Sequence, residues 1–273
     1  MTVEGNRARF RQLHQAGCFV LPNPWDVGSA RMLQSLGFAA LATTSAGFAW
    51  STGLPDYAVT LDGVLEHLRT LCASVDVPIN ADFESGFARD PEAVAHNVGA
   101  AVETGLAGLS IEDRDVVAPF ELFDTRFAVE RLRAAHAEIR RRDANVILVA
   151  RTEGLLRDAT AVSASIDKLV AFADAGADCL YAPGVTAAAD IAAMVRAVAP
   201  KPLNVLVLRA GPSVRELADL GVRRISVGGG LARVAWGAMA SAAKQMLSGS
   251  FDGLANGLPG SELNQIFGAF AGR

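Results

Sequence analysis

Three acidic side chains and one arginine recur in a single context, each just after a short apolar run. Asp82-Phe83-Glu84 follows Val77–Ala81, Glu112-Asp113-Arg114 follows Gly108–Ile111, and Arg151-Thr152-Glu153 follows Val146–Ala150. Asp82 and Glu84 are two residues apart, so from an extended backbone they point the same way. Carboxylates that converge repel one another unless they are protonated or neutralised by a cation. Oxygen donors with no His or Cys beside them suit Mg²⁺, which keeps several waters and takes one or two direct carboxylates. Rim salt bridges, Glu112 with Arg151 for example, would account for the same residues without any chemistry. Charges scattered over a surface, however, have no reason to fall at the same end of successive strands.

The elements that must position these residues are legible as a repeat. A helical stretch ends in Gly and a short apolar run follows, as at Gly37, Gly105, Gly176 and Gly221. Gly past a helix end adopts the left-handed conformation at little cost, which stops the helix. Runs that are apolar without alternation mark strands buried on both faces. Eight such runs occur, near Cys18–Leu21, Ala39–Thr43, Val77–Ala81, Gly108–Ile111, Val146–Ala150, Cys179–Ala182, Leu203–Leu206 and Ile225–Val227. Amphipathic segments separate them, including one from Asp90-Pro91 and one behind the capping box Ser213–Glu216. Eight strands alternating with helices predict one (β/α)8 barrel over residues 1–273, with a short C-terminal helical extension near Leu263–Phe270. A doubly wound open sheet is the alternative, weakened because Leu21-Pro-Asn-Pro-Trp-Asp26 replaces a glycine-rich turn after the first strand. In a barrel, function sits at the C-terminal ends of the strands, where the acids and Arg151 lie.

Composition excludes other classes. Hydrophobic residues make up 51% of the 273 and charged residues 20%, enough apolar surface to exclude disorder. Three cysteines, none in a Cys-x-x-Cys pair, cannot staple a core of this size and read as reduced, buried small hydrophobes. A net charge of -4 with interspersed signs argues against nucleic acid. No run is long enough to span a bilayer, and the polar N-terminus is no signal peptide, so a cytoplasmic protein without membrane partners is expected. The four histidines fall in helical segments, which argues against a histidine base or zinc site. Gly228-Gly229-Gly230 after the eighth strand would suit a phosphate or carboxylate, or simply a strand-to-helix turn.

Along nearly its whole length the chain resembles the isocitrate lyase/phosphoenolpyruvate mutase superfamily, in particular its 2-methylisocitrate lyase-like and oxaloacetate decarboxylase-like members. The matching pieces are Asn23-Pro-Trp-Asp26, Thr44-Ser45-Ala-Gly47-Phe48, Gly53-Leu-Pro-Asp56, Asp82-Phe-Glu84-Ser-Gly86-Phe87, Ile111-Glu112-Asp113 and Ala150-Arg151-Thr152. The resemblance implies a (β/α)8 barrel and a lyase that handles small 2-oxo- or 2-hydroxycarboxylates through a metal-bound pyruvate-type enolate. It also implies a homo-oligomer, dimer or tetramer, often with the last helix exchanged between subunits. By the same resemblance Asp82 contacts Mg²⁺ (or Mn²⁺), and Glu84, Glu112 and Asp56 hold its waters. Ser45, Ala46, Gly47 and Phe48 cradle the substrate's carboxylate and carbonyl. Arg151 neutralises oxyanion charge, and Asn204 contacts a second carboxylate.

The departures lie in the half of the site that selects the reaction. Carbon–carbon lyases of the superfamily carry a loop cysteine and histidine after the fourth strand, and phosphonate mutases a lysine and an Asn-Ser pair. Here that region reads Arg114-Asp-Val-Val-Ala-Pro-Phe-Glu-Leu-Phe123, and Gly184 stands where lyases show a glutamate. Three functions follow as expectations: C–C cleavage, formation or decarboxylation; C–P chemistry, as a phosphoenolpyruvate mutase or phosphonopyruvate hydrolase using Arg114 or Arg126; or a non-catalytic carboxylate-binding barrel.

Overall fold

The computed structural model describes residues 2–118 and 121–271. Its strands are β1 (Phe19–Leu21), β2 (Leu41–Ala42), β3 (Ile79–Asp82), β4 (Gly108–Glu112), β5 (Ile147–Arg151), β6 (Cys179–Tyr181), β7 (Leu203–Leu206) and β8 (Arg224–Ser226). The helices before β5 are α1 (Val3–Leu13), α2 (Val27–Ser35), α3 (Ser45–Ser51), α4 (Leu61–Ser74), α5 (Pro91–Val102) and α6 (Thr125–Arg142). After it come α7 (Gly154–Arg157), α8 (Val162–Asp174), α9 (Ala188–Val198), α10 (Val214–Asp219), α11 (Gly230–Leu247) and α12 (Gly260–Gly268).

All strand pairs are parallel, in the order β1-β8-β7-β6-β5-β4-β3-β2. The Ala42 N–H donates to the Pro22 carbonyl (3.0 Å), which draws β2 against the end of β1 and closes the ring. This is the expected (β/α)8 barrel with a C-terminal helix. Seven of the eight apolar runs coincide with strands to within a residue or two. The second keeps only Leu41–Ala42, because Thr44 leaves the sheet to cap α3, its hydroxyl accepting the Gly47 N–H.

Register sets the site. Glu112 pairs with Arg151, Arg151 with Tyr181, Tyr181 with Asn204, Asn204 with Arg224, and Arg224 with Phe19. Strands in a closed barrel tilt against its axis, so such a line spirals from rim to floor. Glu112 and Arg151 stand at the rim. Arg224 stands at the floor, against Phe10 and His14 of the α1 end. Gly108 makes room for this packing, since a Cβ there would lie 2.8 Å from both the Asn80 Oδ1 and the Phe10 ring.

The main apolar core lies between the sheet and its helices, where Leu68, Val98, Leu132, Leu169 and Met194 are buried. A smaller core inside the barrel holds Phe10, Leu21, Ile147 and Val149. α11 is the exception among the helices. Of its 18 residues only Ala232 is buried, while Val234, Trp236, Met239 and Leu247 are exposed. Among the described residues no helix is long and apolar enough to cross a membrane.

Candidate active site

A cavity of about 250 Å³ opens at the C-terminal end of the strands. Asp82, the last residue of β3, stands on one wall. Its Oδ2 accepts both the backbone N–H (3.0 Å) and the hydroxyl (2.9 Å) of Ser45 at the start of α3. Its Oδ1 lies 3.3 Å from Arg151 Nη1. Arg151 also pairs with Glu112 Oε2 at 3.3 Å and with Glu153. The Glu112–Arg151 pair anticipated as a rim salt bridge thus forms, as one contact of a larger cluster. Burial opposes the arginine's charge, but Glu153 and Glu112 outweigh it and hold its pKa well above the ordinary value.

The cluster is over-supplied with acid. Glu84 and Glu112 are 8% and 2% exposed, and each has a buried carboxylate oxygen, Oε1, without any hydrogen-bond partner. Loss of water, then the like charges of Asp82 and Asp56, raise Glu84 to about 8. Glu112 is likewise raised to about 8, by burial first. Asp56, on the loop after α3, lines the cavity mouth, and its carboxyl is pushed up by desolvation and by Asp82. Left alone, such groups must protonate or acquire a cation. Glu84 and Glu112 do not line the cavity, whereas Asp82 and Asp56 do; the two orphaned oxygens, within the charge cluster around Asp82, fit a divalent ion. Among the described residues no three or more His, Cys, Asp or Glu form a cage that could hold a metal ion. An ion that keeps most of its waters needs no such cage.

Of the expected cradle, Ser45 and Ala46 line the cavity. Gly47 and Phe48 do not. Their N–H groups are spent inside α3, on the Thr44 hydroxyl (3.2 Å) and the Thr44 carbonyl (3.0 Å). The Phe48 ring stacks on His67 at 3.8 Å. Gly47 is required by closeness, since a Cβ there would lie 2.6 Å from Thr44 Cγ2. Asn204 lines the far wall, where its Oδ1 accepts from Arg224 Nε (3.0 Å) and its Nδ2 donates to Ser226 Oγ (2.9 Å). Two N–H groups at the glycine run, those of Val227 and Gly228, both donate to Asn23 Oδ1 at 2.9 Å, so they are committed within the chain. Arg114 stacks over the Tyr57 ring at 3.4 Å. Arg126 is exposed and paired with Glu130. Within the fourth loop, Pro119 and Phe120 lie outside the described residues.

Four further residues were not anticipated. Arg131 of α6, almost wholly buried, donates to the carbonyls of Ser85, Ala88 (2.8 Å) and Arg89 (3.1 Å) and so pins the turn that presents Glu84. Lys168 of α8 lies 2.6 Å from Asp113, which also accepts the Thr152 hydroxyl and the Glu153 N–H. That knot ties the ends of β4 and β5 together. Tyr181 faces the cavity under Arg151, whose guanidinium carbon is 5.3 Å from the ring centre. Arg224 forms the floor. On a single sequence, a lysine or arginine inside an amphipathic helix looks like a solvated face, and nothing local distinguishes Arg131 or Lys168 from one.

Known proteins share this layout. The family model described as phosphoenolpyruvate phosphomutase matches residues 10–247. An oxaloacetate decarboxylase of Pseudomonas aeruginosa is 30% identical over 272 residues, covering 96% of this chain and 91% of its own. A solved structure from Burkholderia cenocepacia, assigned only to the class lyase or mutase, is 44% identical with a TM-score of 0.94 over 97% of each chain. That of 2,3-dimethylmalate lyase, a PEP mutase/isocitrate lyase superfamily member, is 28% identical with a TM-score of 0.84 over 98% of this chain and 94% of its own.

Proposed function

The chain belongs to the phosphoenolpyruvate phosphomutase family, within the PEP mutase/isocitrate lyase superfamily, and from that membership we propose that it is a Mg²⁺-dependent carbon–carbon lyase of a small 2-oxo- or 2-hydroxycarboxylate. The reaction favoured is decarboxylation of an oxaloacetate-like acid through a pyruvate-type enolate. The observation that carries this reading is the acid excess around a cavity sized for a small acid: Asp82 and Arg151 line it, Glu112 pairs with Arg151, and Glu84 and Glu112 each keep a buried orphaned oxygen. The Pseudomonas decarboxylase, similar over nearly the whole of both chains, supports the choice of reaction.

Asp82 would hold the ion directly, and Glu84, Glu112 and Asp56 would hold it through waters; Mn²⁺ would substitute. When bound, the ion supplies Lewis-acid stabilisation of an enolate oxygen. Arg151 brings a fixed positive charge to the same side of the cavity, where it meets the oxyanion as it forms without having to reorganise. Ser45 orients Asp82 and, with Ala46, lines the wall that receives the pyruvyl carboxylate. Asn204 offers its remaining amide hydrogen to a second carboxylate. No nucleophile is required, because the electron pair of the broken bond is received by the ketone. For C–P chemistry a cation would have to face the phosphorus; Arg126 is exposed and paired with Glu130, which leaves Arg114, stacked over Tyr57 at the cavity, as the candidate for that alternative.

The exposed apolar face of α11 is suited to a second copy of the chain, so the working unit is a homo-oligomer. The free thiols suit the reducing cytoplasm. The test is pyruvate release from a panel of 2-oxo and 2-hydroxy di-acids with and without Mg²⁺. Turnover that collapses on chelation and returns with Mg²⁺ is expected. Metal-independent turnover, or none with any acid, would refute the reading.

A further inference from the structure

The lyase reading leaves one chemical requirement unassigned: an enolate must receive a proton on carbon before the product leaves as a ketone. Among the described residues no His, Lys or Cys lines the cavity, so the donor is sought among other residue types. Serine and threonine hydroxyls at the walls are held within the chain, and none is a strong enough acid to be preferred to a phenol. Ser45 donates to Asp82, Ser110 donates to the Ala81 carbonyl (3.3 Å), Thr43 receives the Asp82 N–H, and Thr44 caps α3. The chain has two tyrosines, and both line this cavity. Tyr57 sits on the mouth loop, pressed under Arg114 and facing the acidic wall. Tyr181 lies deeper, between Arg151 and Asn204 in the register line.

A directed hydrogen-bond chain runs from the floor of the cavity toward Tyr181. An arginine can only donate, so Arg224 Nε fixes the Asn204 carbonyl oxygen as its acceptor. The Asn204 amide nitrogen is thereby turned toward Ser226 and donates to its Oγ at 2.9 Å. Ser226 Oγ, having accepted from Asn204, keeps its own proton to donate, and interaction with the Ser226 hydroxyl eases the Tyr181 phenol's upward shift, as a donor to its oxygen would. A phenol that accepts there still has its own O–H to donate, and Tyr181 lines the cavity. His14 anchors the far end of the chain. Its Nδ1 donates to the Phe10 carbonyl at 2.8 Å, leaving Nε2 as the acceptor facing Arg224 Nη1 at 3.4 Å.

We propose that Tyr181 is the acid that protonates the enolate carbon, oriented by the Arg224–Asn204–Ser226 chain and replacing the loop acid that this sequence lacks. In the step, the Tyr181 O–H bond breaks and its proton forms the new C–H bond at C3. The enolate C=C pair supplies the electrons of that bond, the C2 oxygen returns to a carbonyl, and the phenolate left on Tyr181 takes a proton from water. Burial raises the Tyr181 pKa to about 12, so the phenol holds its proton at neutral pH. The groups facing it are Arg151 and Glu153 above, Asp82 across the cavity and Arg224 below. Arg151 favours the transient phenolate, while Glu153 and Asp82 oppose it.

The inference rests on the enolate reading, and the experiment separates the two. Run in reverse, the same group removes a methyl proton from bound pyruvate. Exchange of pyruvate methyl protons in D₂O with Mg²⁺ is followed by proton NMR, and binding of oxalate with Mg²⁺, an enolate mimic, by calorimetry. Tyr181→Phe keeps the ring and is expected to slow exchange by about 100-fold or more, the usual contribution of a positioned acid or base, with oxalate binding unchanged. Ser226→Ala, which frees the phenol to turn, is expected to slow exchange less, again with oxalate binding kept. Exchange by Tyr181→Phe at the wild-type rate would overturn the proposal. So would a wild-type protein that binds oxalate with Mg²⁺ yet exchanges no pyruvate protons, an outcome that leaves the metal site standing. Absence of Mg²⁺-dependent oxalate binding in the wild type would instead remove the enolate reading, and the proposal with it.

Discussion

Replacing Lys168 with Met should cost this protein more stability than almost any other exposed-looking helix position. Its ammonium is 2.6 Å from Asp113 and 2.8 Å from the Phe123 carbonyl, and the two charged side chains are 12% and 0% exposed. Met fills the space of the stem but leaves a carboxylate that water cannot reach. Removing one partner of a buried pair costs about 3–5 kcal/mol. Asp113 keeps the Thr152 hydroxyl and the Glu153 N–H, which draws the cost toward the low end. The lost bond to the Phe123 carbonyl adds back about 1 kcal/mol. The expected loss is about 4 kcal/mol, which at roughly 2–4 °C per kcal/mol for a chain of this size lowers Tm by about 8–16 °C. Urea denaturation followed by circular dichroism measures it. The pair Asp113→Asn with Lys168→Met removes both charges, so it should recover at least about 1 kcal/mol over Lys168→Met alone. A loss below about 1 kcal/mol for Lys168→Met, typical of a solvent-screened pair, would refute the reasoning. A double variant as unstable as the sum of the singles would do the same.

Asp82→Ala should abolish Mg²⁺-dependent turnover and metal binding while leaving the fold intact, because Arg151 retains Glu112 and Glu153. Calorimetry with Mg²⁺ and oxalate checks this, and normal activity in the variant would make the metal assignment wrong. Acid should destabilise the barrel through His14, held down to about 3 by burial and by Arg224. Its folded pKa lies below the unfolded value of 6.5, so the unfolded chain takes up the proton first. The stabilisation is complete above about 6.5 and is lost at about 1.4 kcal/mol per unit as pH falls toward 3. His14→Gln should remove that share of the slope between pH 6.5 and 5, about 2 kcal/mol, in urea melts at each pH. An unchanged slope would assign the acid sensitivity elsewhere.

What was legible in the sequence is what short-range physics dictates. Gly37, Gly105, Gly176 and Gly221 do take positive φ at the helix-to-strand junctions, and the apolar runs after them are the strands. Asp82, Glu112 and Arg151 end β3, β4 and β5, as their place after those runs required. The Ser45–Phe48 cradle was legible only by resemblance, and all of it lies in the first turn of α3, with only Ser45 and Ala46 lining the cavity. Thr44 looks like an ordinary strand end, and only the closing of α3 reveals that its hydroxyl is a cap. Arg131, Lys168 and Arg224 were invisible for another reason. Their partners are distant in the chain, Glu112 or Ser85 for Arg131 and Asn80 or Asn204 for Arg224, so no window of sequence contains the contact.

The same register line explains why the net charge of -4 says so little about the site. At the rim end, carboxylates of β3, β4 and the following loops crowd one arginine, an excess that the proposed divalent ion would offset. At the floor end, Arg224 is 3% exposed and its hydrogen-bond partners are Asn80, Asn204 and a neutral His14. A buried cation without a carboxylate partner is costly on stability grounds alone. It becomes intelligible if negative charge visits the cavity above it, as the proposed carboxylate substrate and a phenolate on Tyr181 would. Arg224 supplies half of that phenolate's setting by its charge and the other half by fixing the direction of the Asn204–Ser226 chain. An uncharged donor in its place would keep the direction but not the charge. A lysine would keep the charge but lose the two-sided grip on Asn80 and Asn204, since a guanidinium holds several acceptors in a fixed plane and an ammonium does not.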